Sequence, residues 1–208
     1  MLTSSGGATV VLDIKTKKVL FYAKTPMAHS AEILPNNRIV VANSTHSKGN
    51  SIELYDINKP EKVILKDSLY SGHGVVWNKK NKKLYALGYD ELREYTLQNW
   101  ESDSPALKLN RYWKLPDEGG HDLFLYDNGR LILSTHHNVW WFDINNMQFS
   151  VFDLLKDKAD VKSVNLRGNH LIYTIAEKSW WTSNVYSVNP DKRIHIPGIR
   201  LYKVRLGN

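Results

Sequence analysis

Residues 29–41 read HSAEILPNNRIVV, residues 73–85 read HGVVWNKKNKKLY and residues 121–133 read HDLFLYDNGRLIL. Each stretch opens on a histidine, passes through a short apolar run, breaks at polar turn-forming residues and resumes as a second apolar run. This is strand, turn, strand. Self-similarity at a fixed period marks a repeat fold. It also places His29, His73 and His121 at matching points of the repeat.

A second feature recurs further along each unit. VVLDI ends at Ile14, ELYDI at Ile57 and WWFDI at Ile144, with weaker copies REYTL ending at Leu97 and YSVNP ending at Pro190. The polar fourth positions, Asp13, Asp56, Thr96, Asp143 and Asn189, follow one another at intervals of 43, 40, 47 and 46 residues. Propeller repeats run at about 40–50 residues per blade. A short polar residue closing a strand accepts a hydrogen bond from backbone two residues on and starts a turn, so these positions read as structural.

Four strands fit each full unit: about 29–34, 38–44, 51–57 and 62–68; 73–78, 83–89, 91–97 and 107–115; 121–126, 130–135, 138–144 and 148–154; 161–166, 170–176, 184–189 and 193–196. Pro35-Asn36-Asn37, Asp127-Asn128-Gly129 and Arg167-Gly168-Asn169 supply the turns. No stretch keeps a helical period over ten or more residues. The expected fold is all-β, a β-propeller of about five four-stranded blades forming a single domain over residues 1–208. Residues 8–24 read as a third and fourth strand, and 201–206 as one further strand. Joined, they close a five-bladed ring, which protects sheet edges. The alternative is an N-terminally truncated ring of six or seven blades.

Composition narrows the chemistry. There are no cysteines, which excludes disulfides, thiolate metal sites and cysteine nucleophiles. The formal net charge is +7. Its placement argues against nucleic acid, because Lys15, Lys17 and Lys18, then Lys79, Lys80, Lys82 and Lys83, fall in expected tight turns where charge is solvated. No run approaches the ~18 apolar residues of a membrane helix, and the first residues lack the basic and apolar regions of a signal peptide. No phosphate-cradling glycine loop precedes a helix, and no Gly-x-Ser-x-Gly elbow occurs.

Propeller topology gathers one set of loops on a single rim. These carry His29, Glu32, His73, Asp90, Glu91, His121, Asp122, His136, His137, Glu177, Trp180 and Trp181, while the lysine turns fall on the other rim. Neutral imidazole ligates divalent transition metals, so His29, His73 and His121 are candidate ligands for Mn or Zn. Equally, they are candidate hydrogen-bonding groups for a polar ligand, or side chains that bond a neighbouring blade's backbone. The matching position in the last blade is Val161, with Lys162 and Asn165 close behind. Adjacent strand residues point to opposite faces, so one of His136 and His137 joins the rim and the other meets solvent. The run from Ala176 to Ser183 holds Trp180-Trp181, which either pack down on the rim or stack on a sugar ring. Trp140-Trp141 lie within a strand, and one enters the core. Glu32, Asp122 and Glu177 are candidate binding or proton-transferring carboxylates, and Lys162 a candidate proton carrier.

The segments Ser4–Gly7, Val19–Ala23 and His29–Pro35, with Glu177–Thr182 and Ile194–Arg205, resemble an uncharacterised family of bacterial six- or seven-bladed β-propellers. The resemblance spans the chain. It implies the fold, a longer N-terminal region and export, hence an extracytoplasmic location, and it implies no activity. A more distant likeness is to oligogalacturonate lyases, propellers whose channel histidines hold manganese for β-elimination of uronates. It rests on the blade-start position of His29, His73 and His121 alone. The expected function is therefore binding of a carbohydrate or other polar ligand by His29, His73, His121, Glu32, Asp122, Glu177, Trp180 and Trp181. The alternatives are a metal-dependent lyase or hydrolase and a protein-interaction platform.

Overall fold

Strands account for nearly all the regular structure in the computed structural model, which describes residues 1–207. The chain divides into two compact units, Met1–Leu115 and Pro116 onward.

The first unit begins with a three-stranded sheet, β1 (Leu2–Ser4), β2 (Ala8–Leu12) and β3 (Val19–Lys24). Two four-stranded sheets follow. One holds β4 (Ala28–Leu34), β5 (Arg38–Asn43), β6 (Ser51–Asp56) and β7 (Lys59–Ser68); the other holds β8 (Gly74–Asn78), β9 (Lys83–Leu87), β10 (Glu91–Gln98) and β11 (Ala106–Lys114). The second unit has β12 (Asp122–Asp127), β13 (Arg130–Ser134), β14 (Val139–Asp143) and β15 (Gln148–Val151), a single 3₁₀ turn (Asp153–Leu155), then β16 (Val161–Arg167), β17 (His170–Ile175), β18 (Asn184–Val188) and β19 (Lys192–His195). Every pairing is antiparallel and every sheet is a meander in chain order. These are the blades of a β-propeller.

Strand periodicity explains the packing. All six residues of β5 are buried. Successive side chains point to opposite faces, so Ile39 and Val41 enter one core with Val11, Phe21 and Tyr55, while Val40 and Ala42 enter another with Ile52, Leu54, Leu84 and Tyr95. A blade covered on both faces reads as a continuous apolar run. In the second unit β16 divides differently. Val164 and Leu166 enter the core with Ile132 and Phe152, and Trp141 packs against it. The alternate residues Ser163 and Asn165 form a polar face, also buried.

The repeated aspartates do what their spacing implied. The backbone N–H groups of Lys15, Asn58 and Asn145 donate to the carboxylates of Asp13, Asp56 and Asp143 at 2.9, 2.8 and 2.8 Å. Thr96 departs from the pattern and accepts from the Lys83 ammonium instead (2.7 Å).

The expectation that 201–206 complete the sheet of residues 8–24 is not met. That sheet has three strands, the third being β1. The C-terminal segment lies along the last sheet. Leu201 forms an isolated bridge with Thr182, and the residues beyond it bond to side chains. Thr174 Oγ1 donates to the Tyr202 carbonyl (2.8 Å), Asn165 Nδ2 donates to the Val204 carbonyl (2.9 Å), and the Val204 N–H donates to Ser163 Oγ (3.2 Å). The polar face of β16 and β17 thus takes the place of a strand ladder.

Asp122 fixes this segment. Its side chain is almost fully buried and accepts from Arg205 Nη2 (2.6 Å) and Nη1 (3.0 Å), with Lys203 Nζ 3.2 Å away. Burial acts to raise its pKa, but the charges of Arg205 and Lys203 and the hydrogen bonds from Arg205 and the Val164 N–H outweigh burial and hold it below the ordinary carboxylate value.

Two predictions follow from this packing. Leu54→Ala, in the core of the first unit, lowers stability in urea titration by about 2–5 kcal/mol, whereas Ile14→Ala, 77% exposed, stays within about 0.5 kcal/mol. The Asp122 carboxylate, depressed in the folded state, contributes stability above about pH 4 that is lost as pH falls through its folded value. Asp122→Asn costs on the order of 3 kcal/mol at neutral pH and flattens the acid limb of a stability-against-pH curve. An unchanged acid limb contradicts this account.

Candidate functional site

The histidine positions share a backbone device. Two residues before His29, His73 and His121 stand Met27, Ser71 and Gly119, all left-handed with φ of 58°, 51° and 74°. Asp160, φ 56°, stands two residues before Lys162. The bulge in β4 falls between Ala28 and Ser30 and that in β16 between Val161 and Ser163. Lys162, not Val161, is therefore the counterpart of His29. The sequence alignment is one residue off, because a bulge removes that residue from strand alternation.

In three of the four copies the residue two positions back anchors the central side chain. His29 Nδ1–H donates to the Met27 carbonyl and His73 Nδ1–H to the Ser71 carbonyl, each at 2.8 Å. A carbonyl only accepts, so the Nδ1 of each ring carries a proton. The two rings lie 4.4 Å apart in the first unit. Lys162 Nζ donates to Asp160 Oδ1 at 2.9 Å.

His121, in the second unit, breaks the rule. Its Nδ1 lies 3.1 Å from the Tyr202 hydroxyl. Its Nε2 lies 2.7 Å from Lys162 Nζ, 3.1 Å from His136 Nδ1 and 4.0 Å from Asp160 Oδ1. His136 reaches this place because Gly119 lacks a side chain. A Cβ there would meet the His136 ring at 2.0 Å. Lys162 is 1% exposed. Burial lowers its pKa, and Asp160 opposes that shift. Burial, reinforced by the charges of Asp122 and Asp160, pushes the Tyr202 phenol far up, so it stays protonated.

The Trp180-Trp181 loop covers this cluster. Lys178 and Trp181 exchange backbone hydrogen bonds around a turn with Ser179 at φ 55°, as in a type II′ turn. Trp181 packs edge-on to Tyr202, ring centroids 5.8 Å apart. Trp180 remains 55% exposed, its ring 5.1 Å from the Lys162 ammonium.

Other expected site residues have structural tasks. Glu32 accepts the N–H of Trp77 in β8 (3.4 Å) as well as that of Ile33 (2.9 Å). Asp122 accepts that of Val164 in β16 (2.8 Å) and holds Arg205. Glu177 accepts from Thr182, Asn184 and Tyr186. Those bonds, Thr182's first, hold its pKa low. These carboxylates are occupied by the protein's own donors. His136 joins the cluster and His137 is exposed, but the two lie in the bend between β13 and β14 and not on a strand, so the loop and not strand alternation divides them. Asp90 and Glu91 pair with Lys114 and Arg93. Among the described residues, the three donors lying within 4.8 Å of one another are His121, His136 and Asp160, a set that shares His121 alone with the triad read from the repeat. Asp160 and Tyr202 carry no motif.

The profile of a family of unknown function (DUF6528) matches residues 1–207, and the chain belongs to that family. No curated protein matches it. The solved structures that resemble it include the following two. One is a candidate 6-phosphogluconolactonase from Bacteroides uniformis, 13% identical, with a TM-score of 0.61 over 90% of this chain and 62% of that one. The other is hydrazine synthase of Kuenenia stuttgartiensis, 14% identical, with a TM-score of 0.60 over 93% of this chain and 61% of that one. The chain spans less than two thirds of either. At such identities the likeness establishes the fold. No helix among the described residues is long and apolar enough to cross a membrane.

Gly119→Ala and Gly168→Ala separate backbone strain from the packing of His136. Both glycines have positive φ, but nothing lies within 4 Å of a Cβ at Gly168. Gly168→Ala carries strain alone, on the order of 1 kcal/mol. Gly119→Ala adds the clash and loses about 1–3 kcal/mol more, with a shift of the His136 ring signals by NMR. Equal losses in the two variants contradict the account of Gly119.

Proposed function

We propose that this member of the family is a ligand-binding β-propeller whose second unit receives a polar ligand, a carbohydrate first, on the Trp180 face. The observation behind the reading is one pairing: an indole 55% exposed, set over an amine 1% exposed. A tryptophan held outward by a tight turn is a poor packing element and a good stacking surface. Its face suits the apolar face of a sugar ring. His136 and Asp160, both partly exposed, supply hydrogen-bonding groups at the edge of that surface, and the Lys162 ammonium favours a ligand with acidic groups. Sugar recognition also suits the extracytoplasmic location that the resemblance to exported propellers implies, which cell fractionation tests.

Calorimetric titration with neutral and acidic mono- and oligosaccharides tests the reading. At least one sugar binds, and Trp180→Ala weakens it by about 2- to 12-fold, the worth of one aromatic contact of about 0.5–1.5 kcal/mol. An affinity unchanged in Trp180→Ala, or no binding across the panel, defeats the proposal.

A further inference from the structure

We infer that His121, His136 and Asp160 form a binding site for one divalent transition metal ion of the Zn²⁺ type. The inference begins with His121 Nε2. A ring nitrogen carries one proton or one lone pair, never both. This one lies within hydrogen-bond distance of two further nitrogens, His136 Nδ1 at 3.1 Å and Lys162 Nζ at 2.7 Å. The Asp160 oxygen lies 2.9 Å from Lys162 Nζ, so two imidazole nitrogens and a carboxylate surround the point that the Lys162 head group occupies.

A divalent cation in place of that head group is within reach of all three donors, which lie within 4.8 Å of one another. Zn–N bonds are about 2.0–2.1 Å, which sets two nitrogens of a tetrahedral ion about 3.3 Å apart. The His121 and His136 nitrogens already stand 3.1 Å apart. The third donor, Asp160 Oδ1, is 4.0 Å from His121 Nε2, and its half-exposed side chain has the freedom to close that gap. Two imidazoles and a carboxylate are a suitable donor set for Zn²⁺, and three protein ligands leave a coordination position for an oxygen of water or ligand. Tyr202, bonded to the far nitrogen of His121, orients that ring as outer partners of metal-bound histidines do. The Lys162 amine lies among the donors, so the ion displaces it. Sugar stacking on Trp180 is a separate matter, and either proposal can fail alone.

The test uses the untagged full chain, freed of metal by chelator, titrated with Zn²⁺ by calorimetry and with Co²⁺ by visible absorption. One equivalent binds, and Co²⁺ gives the intense bands of a tetrahedral nitrogen–oxygen site. His136→Ala and Asp160→Asn each weaken Zn²⁺ by more than ~10-fold, the least that loss of even an outer partner costs. His137→Ala, at the exposed neighbouring position, leaves it unchanged. Lys162→Met keeps all three donors and binds more tightly. Circular dichroism confirms that each variant is folded. Absence of saturable binding in both the native chain and Lys162→Met overturns the inference. Binding that survives intact in both His136→Ala and Asp160→Asn overturns it as well.

Discussion

The constraint on which the rest depends is the satisfaction of backbone between neighbouring blades. First strands of adjacent blades lie side by side, β4 with β8 and β12 with β16, yet belong to different sheets and share no ladder. Their buried N–H groups need acceptors. Side chains of the preceding first strand supply them: Ser30 Oγ accepts from Val75, Glu32 Oε2 from Trp77 and Asp122 Oδ2 from Val164. A carboxylate just after the repeat histidine is therefore a structural latch. At Asp122 the latch does more. It draws in Arg205 and Lys203, and their segment brings Tyr202 against His121.

The blades were legible because two periods agree. Alternation gave the strands, and the short polar residue at each third-strand end gave the repeat, which is why the observed bounds of β4, β5 and β6 fall within a residue or so of those read from sequence. The ends were not legible for the same reason. Leu201–Leu206 alternates like a strand, but its partners are the side chains of Ser163, Asn165 and Thr174. Alternation shows that a segment is extended and does not show whether backbone or side chains complete its hydrogen bonds. Strand β1, three residues long, is too short to carry a period at all.

The cluster around His121 was half legible. His121, Lys162, His136 and the tryptophan loop stood out by residue type. Glu32, Asp122 and Glu177 stood out equally and accept hydrogen bonds from the protein's own groups; a carboxylate at a blade edge has the same sequence signature whether it faces solvent or a neighbouring N–H. Asp160 and Tyr202 had no signature. Each joins the cluster only by what the fold sets beside it, Asp160 by a left-handed backbone and Tyr202 by the anchoring of Arg205.

Where the repeat is obeyed, the chain needs only packing to explain it. Met27 and Ser71 anchor His29 and His73 in the same way, as expected when one backbone solution serves successive blades. Three departures occur together in the second unit. Gly119 replaces a residue with a side chain and admits His136. Lys162 replaces the histidine. A non-strand segment supplies Tyr202. Each departure carries a cost: a glycine's chain entropy, a buried amine and a strand pairing forgone. Local rules broken at scattered places would suggest drift, whereas these converge on the nitrogens around His121. Natural chains concentrate such conflicts where a site is built. A structural core would be better served by a fourth copy of the histidine and its carbonyl, and it is the loss of that copy that sets this cluster apart from the other blades.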